Sequence, residues 1–356
     1  VEIIDGVRHV HNEAPLWGDE PRVALEFVQK VGDLDTEDEN FQLYRPQDVA
    51  VDGSGNIYIV DSGNYRIQKY DKYGNYLATF GRRGEGPSEF IGPQIIQITP
   101  NNYLFVVDIG RTIELSPTGK EIRRFGGKFF SFIVLNSYEF LSHGFLKLSA
   151  EYDNQPFNEP IFKVFDDDWN VIREFCTPLD FGNWYTNQSM NSVRYTIDND
   201  DNVYAAFIYQ NRIEKYTSDG QIVWKSERIV DYEMSKPESQ ERPKATTGLR
   251  AARVYTGPTE NVFSKHIEVD GKGRAWVYTV LKQAEGKPGS EGYVPEESVI
   301  ELYDPDGFLL GRLPLPDVNI ETILTYRPQF RIFGDHIFFI DRDTEMAVYE
   351  YRIVEK

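Results

Sequence analysis

The stretch from Arg45 to Phe90, RPQDVAVDGSGNIYIVDSGNYRIQKYDKYGNYLATFGRRGEGPSEF, holds four short apolar runs parted by turns. DVAVD alternates and meets GSGN; IYIVD then runs to SGNY, RIQKYD to KYGN, and NYLATFG ends in a Gly-rich bend. Aromatic and β-branched runs of this length, punctuated by Gly, Asn and Asp, predict a four-stranded antiparallel meander. Looser copies follow, each traced by its last strand: NYLATFG, KEIRRFG, NVIREFC, QIVWKSE and FLLGRLP. The turns before them, DKYG, SPTG, DDDW, TSDG and DPDG, supply the positive-φ or side-chain-capped positions that a hairpin needs.

The run P-x-D-V-A-V-D-x-x-G-N-I-Y-I-V-D-S-G-N-x-R-I-Q-K-Y-D, with G-N-Y-L-A-T-F-G and G-E-G-P after it, resembles the NHL repeat over residues 46 to 90. In the later copies the motif is degenerate. The resemblance implies an all-β fold, a six-bladed β-propeller of four-stranded antiparallel blades. The whole chain is similar to NHL-type propellers that Gram-negative bacteria export as lipoproteins, which implies a periplasmic or outer-surface location and a lipid anchor on the precursor. The start at Val1, with neither Met nor a charged-then-apolar leader, is read in the same sense, as a chain trimmed of its targeting segment.

The two ends of the chain predict how the ring closes. RVALEFVQKVG, residues 22 to 32, matches a fourth strand with no first three before it, whereas QFRIFGD, HIFFIDRD and EMAVYEYRIVEK at the other end are three strands with no fourth. The expectation is a composite last blade with Val23–Lys30 antiparallel to Met346–Ile353, which also removes two open sheet edges. Residues 1–21 mix charge, Pro and Gly without a period and are expected to form a surface-lying tail or tether. Residues 22–356 contain no linker of disordered composition and are expected to be one domain.

Composition narrows the function. Fifty aromatic residues (Trp 5, Tyr 22, Phe 23) supply bulk for packing between blades, and no apolar run reaches the roughly 18 residues of a membrane span. A net charge of −19 repels phosphate backbones, so nucleic acid is excluded as a partner, although some animal NHL domains bind RNA through a basic face. The one cysteine, Cys176, has no internal disulfide partner and reads as a small buried apolar residue.

In a four-stranded blade the first-to-second and third-to-fourth turns emerge at one end of the ring, and the remaining connections at the other. The first set is tight throughout, while the long segments GRRGEGPSEFIG, HGFLKLSAEYDNQPFNEP, GNWYTNQSMN, Glu233 to Val262 and KQAEGKPGSEGYVPEE all belong to the second. Long scaffold-mounted loops carry binding more often than not. Near this loop-rich end fall Arg66, Arg82, Arg83 and Arg111, interleaved with Tyr65, Asp61 and Asp108, and the insertions carry Trp184, Tyr185, Tyr152 and Tyr293. Guanidinium forks and aromatic faces suit an anionic or polyhydroxylated ligand, so a protein, peptide or glycan partner is expected. A bracing role competes for the Asp61 and Arg66 pair of the D-S-G-N-x-R-I motif, and for Arg82 and Arg83.

No catalytic set converges, and no cofactor is expected. The alternative is a metal-assisted hydrolase or lyase, lactonase-like or amidating-lyase-like, acting at the channel mouth, where a divalent ion is conceivable. His143 and His266 map to the loop-rich end, but His336 maps to the other and His9 and His11 to the tail, which leaves two histidines where a catalytic zinc ordinarily has three protein ligands. Asp48, Asp108 and Glu268 could face one ion, yet a hard cation wants six to eight oxygens and no loop of alternating acids occurs.

Overall fold

The computed structural model describes residues 1–126, 132–143, 159–182, 184–235, 261–285, 296–316, 318 and 329–356. Blade one is the sheet Pro46–Val51, Ile57–Asp61, Arg66–Tyr70 and Tyr76–Phe80; blade two is Ile95–Ile98, Leu104–Asp108, Arg111–Leu115 and Glu121–Gly126. Blade three is Ile133–Val134, Phe140–His143, Phe162–Phe165 and Val171–Phe175; blade four is Val193–Ile197, Val203–Phe207, Ile213–Tyr216 and Ile222–Glu227. Blade five is Ser264–Val269, Ala275–Lys282, Glu297–Tyr303 and Leu309–Pro314. Blade six takes Phe330–Phe333, His336–Asp341 and Ala347–Glu355 from the end of the chain and Val23–Val31 from its beginning. The chain is therefore a six-bladed β-propeller with a one-plus-three closure. The pairing Val23↔Glu355 to Val31↔Val348 lies about two residues beyond the expected register, with an irregularity between Glu350 and Tyr351.

Six apolar clusters fill the six interfaces between neighbouring blades. Tyr58, Val60 and Ile67 of blade one pack with Ile96, Leu104 and Val106 of blade two, and Trp276 and Tyr278 of blade five with Phe330, Ile337 and Phe339 of blade six. Between blades two and three the filler is aromatic, Phe105 with Phe132 and Phe140, and Trp169 stacks on Phe140 at 4.9 Å. Because both faces of most strands are covered, runs such as IYIVD, LFVVD and VYAAF are buried at every position, unlike the one-sided alternation of a solvated sheet.

The tight end is built from one repeated device. Asp52 Oδ1 accepts the N–H groups of Ser54 and Asn56 at 2.9 and 3.0 Å, and Asp71, Asp166, Asp198, Asp270 and Asp304 repeat the arrangement. Thr99, Ser116 and Thr217 accept the N–H four residues on with a hydroxyl. These caps satisfy turn donors that the ladder leaves open. For Asp71, the bonds from Asn75, from its side chain first, hold the carboxyl below its ordinary range.

Where a surface-lying tail is expected for residues 1–21, the structure has a strap. Glu2–Ile4 and Val7–His11 form a hairpin whose inner strand adds in parallel to the outer strand of blade four, Trp224↔Arg8 to Glu227↔His11. Asn12 then bridges two blades, donating to Ser226 Oγ at 2.9 Å and accepting from Leu309 N–H at 2.8 Å. Leu16 and Trp17 donate backbone N–H groups to Leu309 and Leu310, and Trp17 lies on Gly311, where a Cβ would come within 2.5 Å of its ring. The missed signal has a physical cause: a strand added at an outer edge is held by its backbone, so its side chains need no apolar period. Among the described residues no helix is long and apolar enough to cross a membrane.

Removing residues 1–21 deletes the strap and spares the closing strand, so the variant is expected to melt cooperatively but several degrees lower, at roughly 1 kcal/mol for each backbone hydrogen bond lost. Removing residues 1–32 opens blade six and is expected to abolish the cooperative transition. Calorimetry of the two truncations checks this, and equal melting temperatures for both would contradict it.

Candidate functional site

The first strand of each blade faces the axis, so the centre of the ring is decided by few side chains. Arg331 on the inner strand of blade six reaches both ways. Its Nε and Nη2 donate to the two oxygens of Asp48 on blade one at 2.8 and 2.9 Å, and its Nη1 donates to Glu268 Oε1 on blade five at 3.0 Å. Asp48 continues the chain of bonds by accepting Ile96 N–H of blade two at 3.0 Å, and Thr196 of blade four donates to Glu268 at 3.2 Å. Burial works against the charge of Arg331, but Asp48 and then Glu268 outweigh it and raise its pKa. Burial likewise opposes ionisation of Glu268, yet Arg331 and His266 hold its carboxyl below the ordinary range. Two carboxylates named above as ion-facing candidates are thus bridged by a guanidinium.

His266 lies in this wall with Nε2 at 2.7 Å from Phe330 O and 3.2 Å from Glu268 Oε1; burial lowers its pKa, with Arg331 and Arg194 adding to the effect against Glu268. His143 packs edge-on to Tyr195 at 5.6 Å, and burial, then Arg194, pushes it down to about 4. Both shifts favour the neutral imidazole. His336 is at the tight end on Glu350, while His9 and His11 are in the strap. Among the described residues no three His, Cys, Asp or Glu side chains group as metal ligands. Cys176 is buried at a φ of 69°, its thiol pushed up to about 12 by burial and by Glu214.

At the loop-rich end, Asp61 and Arg66 form a brace. Arg66 Nε donates to Asp61 Oδ2 at 2.7 Å, and its Nη2 donates to the carbonyls of Glu39 and Gln42 in the incoming connection; Asp61 also accepts Tyr44 N–H at 2.7 Å. Blade two repeats the unit: Arg111 Nε on Asp108 at 2.9 Å, Nη2 on the carbonyls of Gly84 and Glu89, and Asp108 accepting Ile91 and Gly92 N–H. Each brace ties the second-to-third turn of a blade to the connection that enters it.

GRRGEGPSEF is pinned as well. Gly81 has a φ of +83° and a Cβ there would stand 2.2 Å from Phe90, so only glycine fits. Arg124 donates to the carbonyls of Glu85 and Gly86, and Ser88 and Glu121 exchange bonds at 2.6 and 2.9 Å. Arg82 donates to Glu89 at 2.8 Å yet keeps a side chain 82% exposed. Arg83 is exposed and lies over the Tyr65 ring, 5.1 Å from its centroid. Trp184 and Tyr185 begin a short helix, Trp184–Met190, in place of the expected loop; their side chains, and Tyr152 and Tyr293 altogether, lie outside the described residues.

Residues 43–70 match the NHL repeat. One curated relative, Protein brain tumor of Drosophila melanogaster, is 31% identical over 94 residues, which cover 24% of this chain and 9% of that protein. Solved structures share the whole fold at low identity. A candidate exported protein of Bacteroides fragilis gives a TM-score of 0.57 at 15% identity, over 98% of this chain and 99% of that one. A DUF4221 family member of Bacteroides vulgatus gives 0.58 at 12%, over 94% and 99%. Virginiamycin B lyase of Staphylococcus aureus gives 0.50 at 10%, over 93% and 100%. At these identities the likeness is one of fold.

Replacing Arg331 by Met strands two buried carboxylates and is expected to cost about 3 kcal/mol at pH 7. A carboxyl depressed in the folded state stabilises above its unfolded pKa and loses that contribution as pH falls, so the wild type weakens as acid titrates Glu268. R331M should therefore show a shallower loss between pH 7 and 4. Urea unfolding at both pH values checks this, and a variant as stable as wild type at pH 7 would contradict it.

Proposed function

We propose that this propeller is a non-catalytic binding module of the cell envelope, exported and tethered through its precursor, and that its loop-rich end takes a protein, peptide or glycan. The observation that carries the reading is the asymmetry of the two ends. Every hairpin at the tight end spans five residues or fewer, whereas the connections leaving the opposite strand ends include residues 32–45, 81–94, 176–192 and 228–263. Braces of one design hold two of those connections to the blades, so recognition groups stand on a rigid base, which lowers the ordering cost of binding. The exported location is supported by the likeness to the Bacteroides fragilis protein.

A metal-assisted reaction at the channel mouth is the second reading, favoured by the burial of His143 and His266, which shifts both imidazoles toward the neutral form that ligates metals. The Arg331 bridge opposes it by occupying Asp48 and Glu268. Elemental analysis of protein purified without chelator separates the two. We expect no stoichiometric divalent ion and no change of melting temperature with chelator; a bound ion would favour the enzyme. Screening immobilised glycans and envelope proteins is expected to return a ligand that R82A/R83A loses and a tight-end variant such as Tyr73→Ala keeps. Ligands indifferent to every loop-rich-end variant would refute the binding face.

A further inference from the structure

We propose that Tyr44, Arg45, Tyr65 and Arg83, on the loop-rich end of blade one, form a binding site for acidic oligosaccharides of the uronic-acid type; this rests on the loop-rich end being the binding end. Tyr44 packs on Gly63, Arg45 follows Tyr44 in the chain, Tyr65 follows Gly63 by two residues, and Arg83 lies over the Tyr65 ring. The Tyr44 ring lies against it, so close that a Cβ would come within 2.2 Å, and Gly63 N–H donates to Tyr44 O at 2.8 Å. Two positions further on, Tyr65 stands in the left-handed region at φ 58°, ψ 38°, and its ring carries the Arg83 guanidinium. Arg45, next to Tyr44, is also left-handed at φ 53°.

What these groups leave outward defines the ligand. Stacking uses one face of the Arg83 guanidinium and leaves its planar N–H edge, a fork that fits a carboxylate. Among the described residues neither Arg83 nor Arg45 makes an ion pair. The cations already committed, Arg66 and Arg111, are turned inward to carbonyls. Tyr44 is 50% exposed and offers a ring on which the C–H face of a sugar can lie. A protein partner would want a desolvated apolar anchor at its centre, whereas what is exposed here are guanidiniums and a tyrosine ring. Ring stacking with a carboxylate fork is the recognition chemistry of a uronic acid.

Isothermal titration of the whole protein with tetragalacturonate tests this, with maltotetraose, tetraglutamate and tetrauridylate as competitors. Tetragalacturonate alone is expected to bind measurably, with affinity falling as salt rises. Arg83→Gln and Tyr44→Ala are each expected to weaken it about tenfold, and Arg83→Lys less than Arg83→Gln. Both side chains are exposed, and unchanged melting temperatures confirm folded variants. Absence of tetragalacturonate binding, equal or tighter binding of tetraglutamate or tetrauridylate, or full affinity in both variants overturns the proposal. If tetragalacturonate fails while a ligand from the screen above is lost on loop-rich-end variants, the ligand class falls and the binding face stands. If the screened ligands also survive those variants, both fall.

Discussion

The pairing of Val23–Val31 with Ala347–Glu355 is the constraint on which the remaining geometry depends. Without it, the outermost strand of blade six would expose a row of unpaired N–H and C=O groups, and each one buried without a partner costs on the order of 1 to 3 kcal/mol. Closure does more than pair an edge. Val23 and Val31 belong to two different interface clusters, toward blade five and toward blade one, so the same strand completes apolar packing on both sides of the last blade. A ring has no spare interface: the clusters at its seam are as large as those elsewhere, and opening one exposes both.

The strap extends this logic along the outer rim. It leaves blade four as a parallel edge strand, crosses blade five through Asn12, Leu16 and Trp17, and becomes the closing strand of blade six. Residues 1–21, outside every repeat, thus tie the outer edges of blades four and five and lead into the closing strand of blade six. The inner rim is joined by charge instead. Arg331 bridges blades five, six and one through Glu268 and Asp48, an arrangement that stabilises only while all three partners remain, because each of the others would be left as an uncompensated buried charge.

The fold was legible because the repeat carries its own punctuation. Turns beginning with Asp, Ser or Thr are capped by that side chain, and the left-handed residue at the fourth position is Gly in six turns (Gly55, Gly74, Gly119, Gly220, Gly273 and Gly307) but Asn102, Tyr138, Trp169 and Asp201 in four others. Position in the repeat, not residue type, identifies those four. The site was less legible. Asp61 and Arg66 are close in sequence, and their pairing could be weighed from the motif, but the carbonyls that Arg66 holds lie 24 and 27 residues away. Arg331 left no signal at all: in QFRIFGD an arginine between apolar residues reads as the solvent-facing member of an alternating strand. Its partners sit on blades one and five, 283 and 63 residues distant. The helix Trp184–Met190 is two turns long, too short for a period to emerge.

The two kinds of arginine at the loop-rich end follow from one geometric fact. A guanidinium that begins a third strand, as Arg66 and Arg111 do, sits within reach of the second-strand aspartate and of the connection folding over it, so its donors are consumed by carbonyls. Arginines at the start of the connection itself, Arg82 and Arg83, lie ahead of the carbonyls that the brace holds and face outward, one on Glu89 and one on the Tyr65 ring. The same residue type is thus structural or available according to whether it stands beneath the connection or within it. The brace also fixes where the available ones stand, because Arg111 holds the carbonyls of Gly84 and Glu89 on either side of the turn that follows Arg83. The connection so anchored carries the exposed Arg83 against the Tyr65 ring.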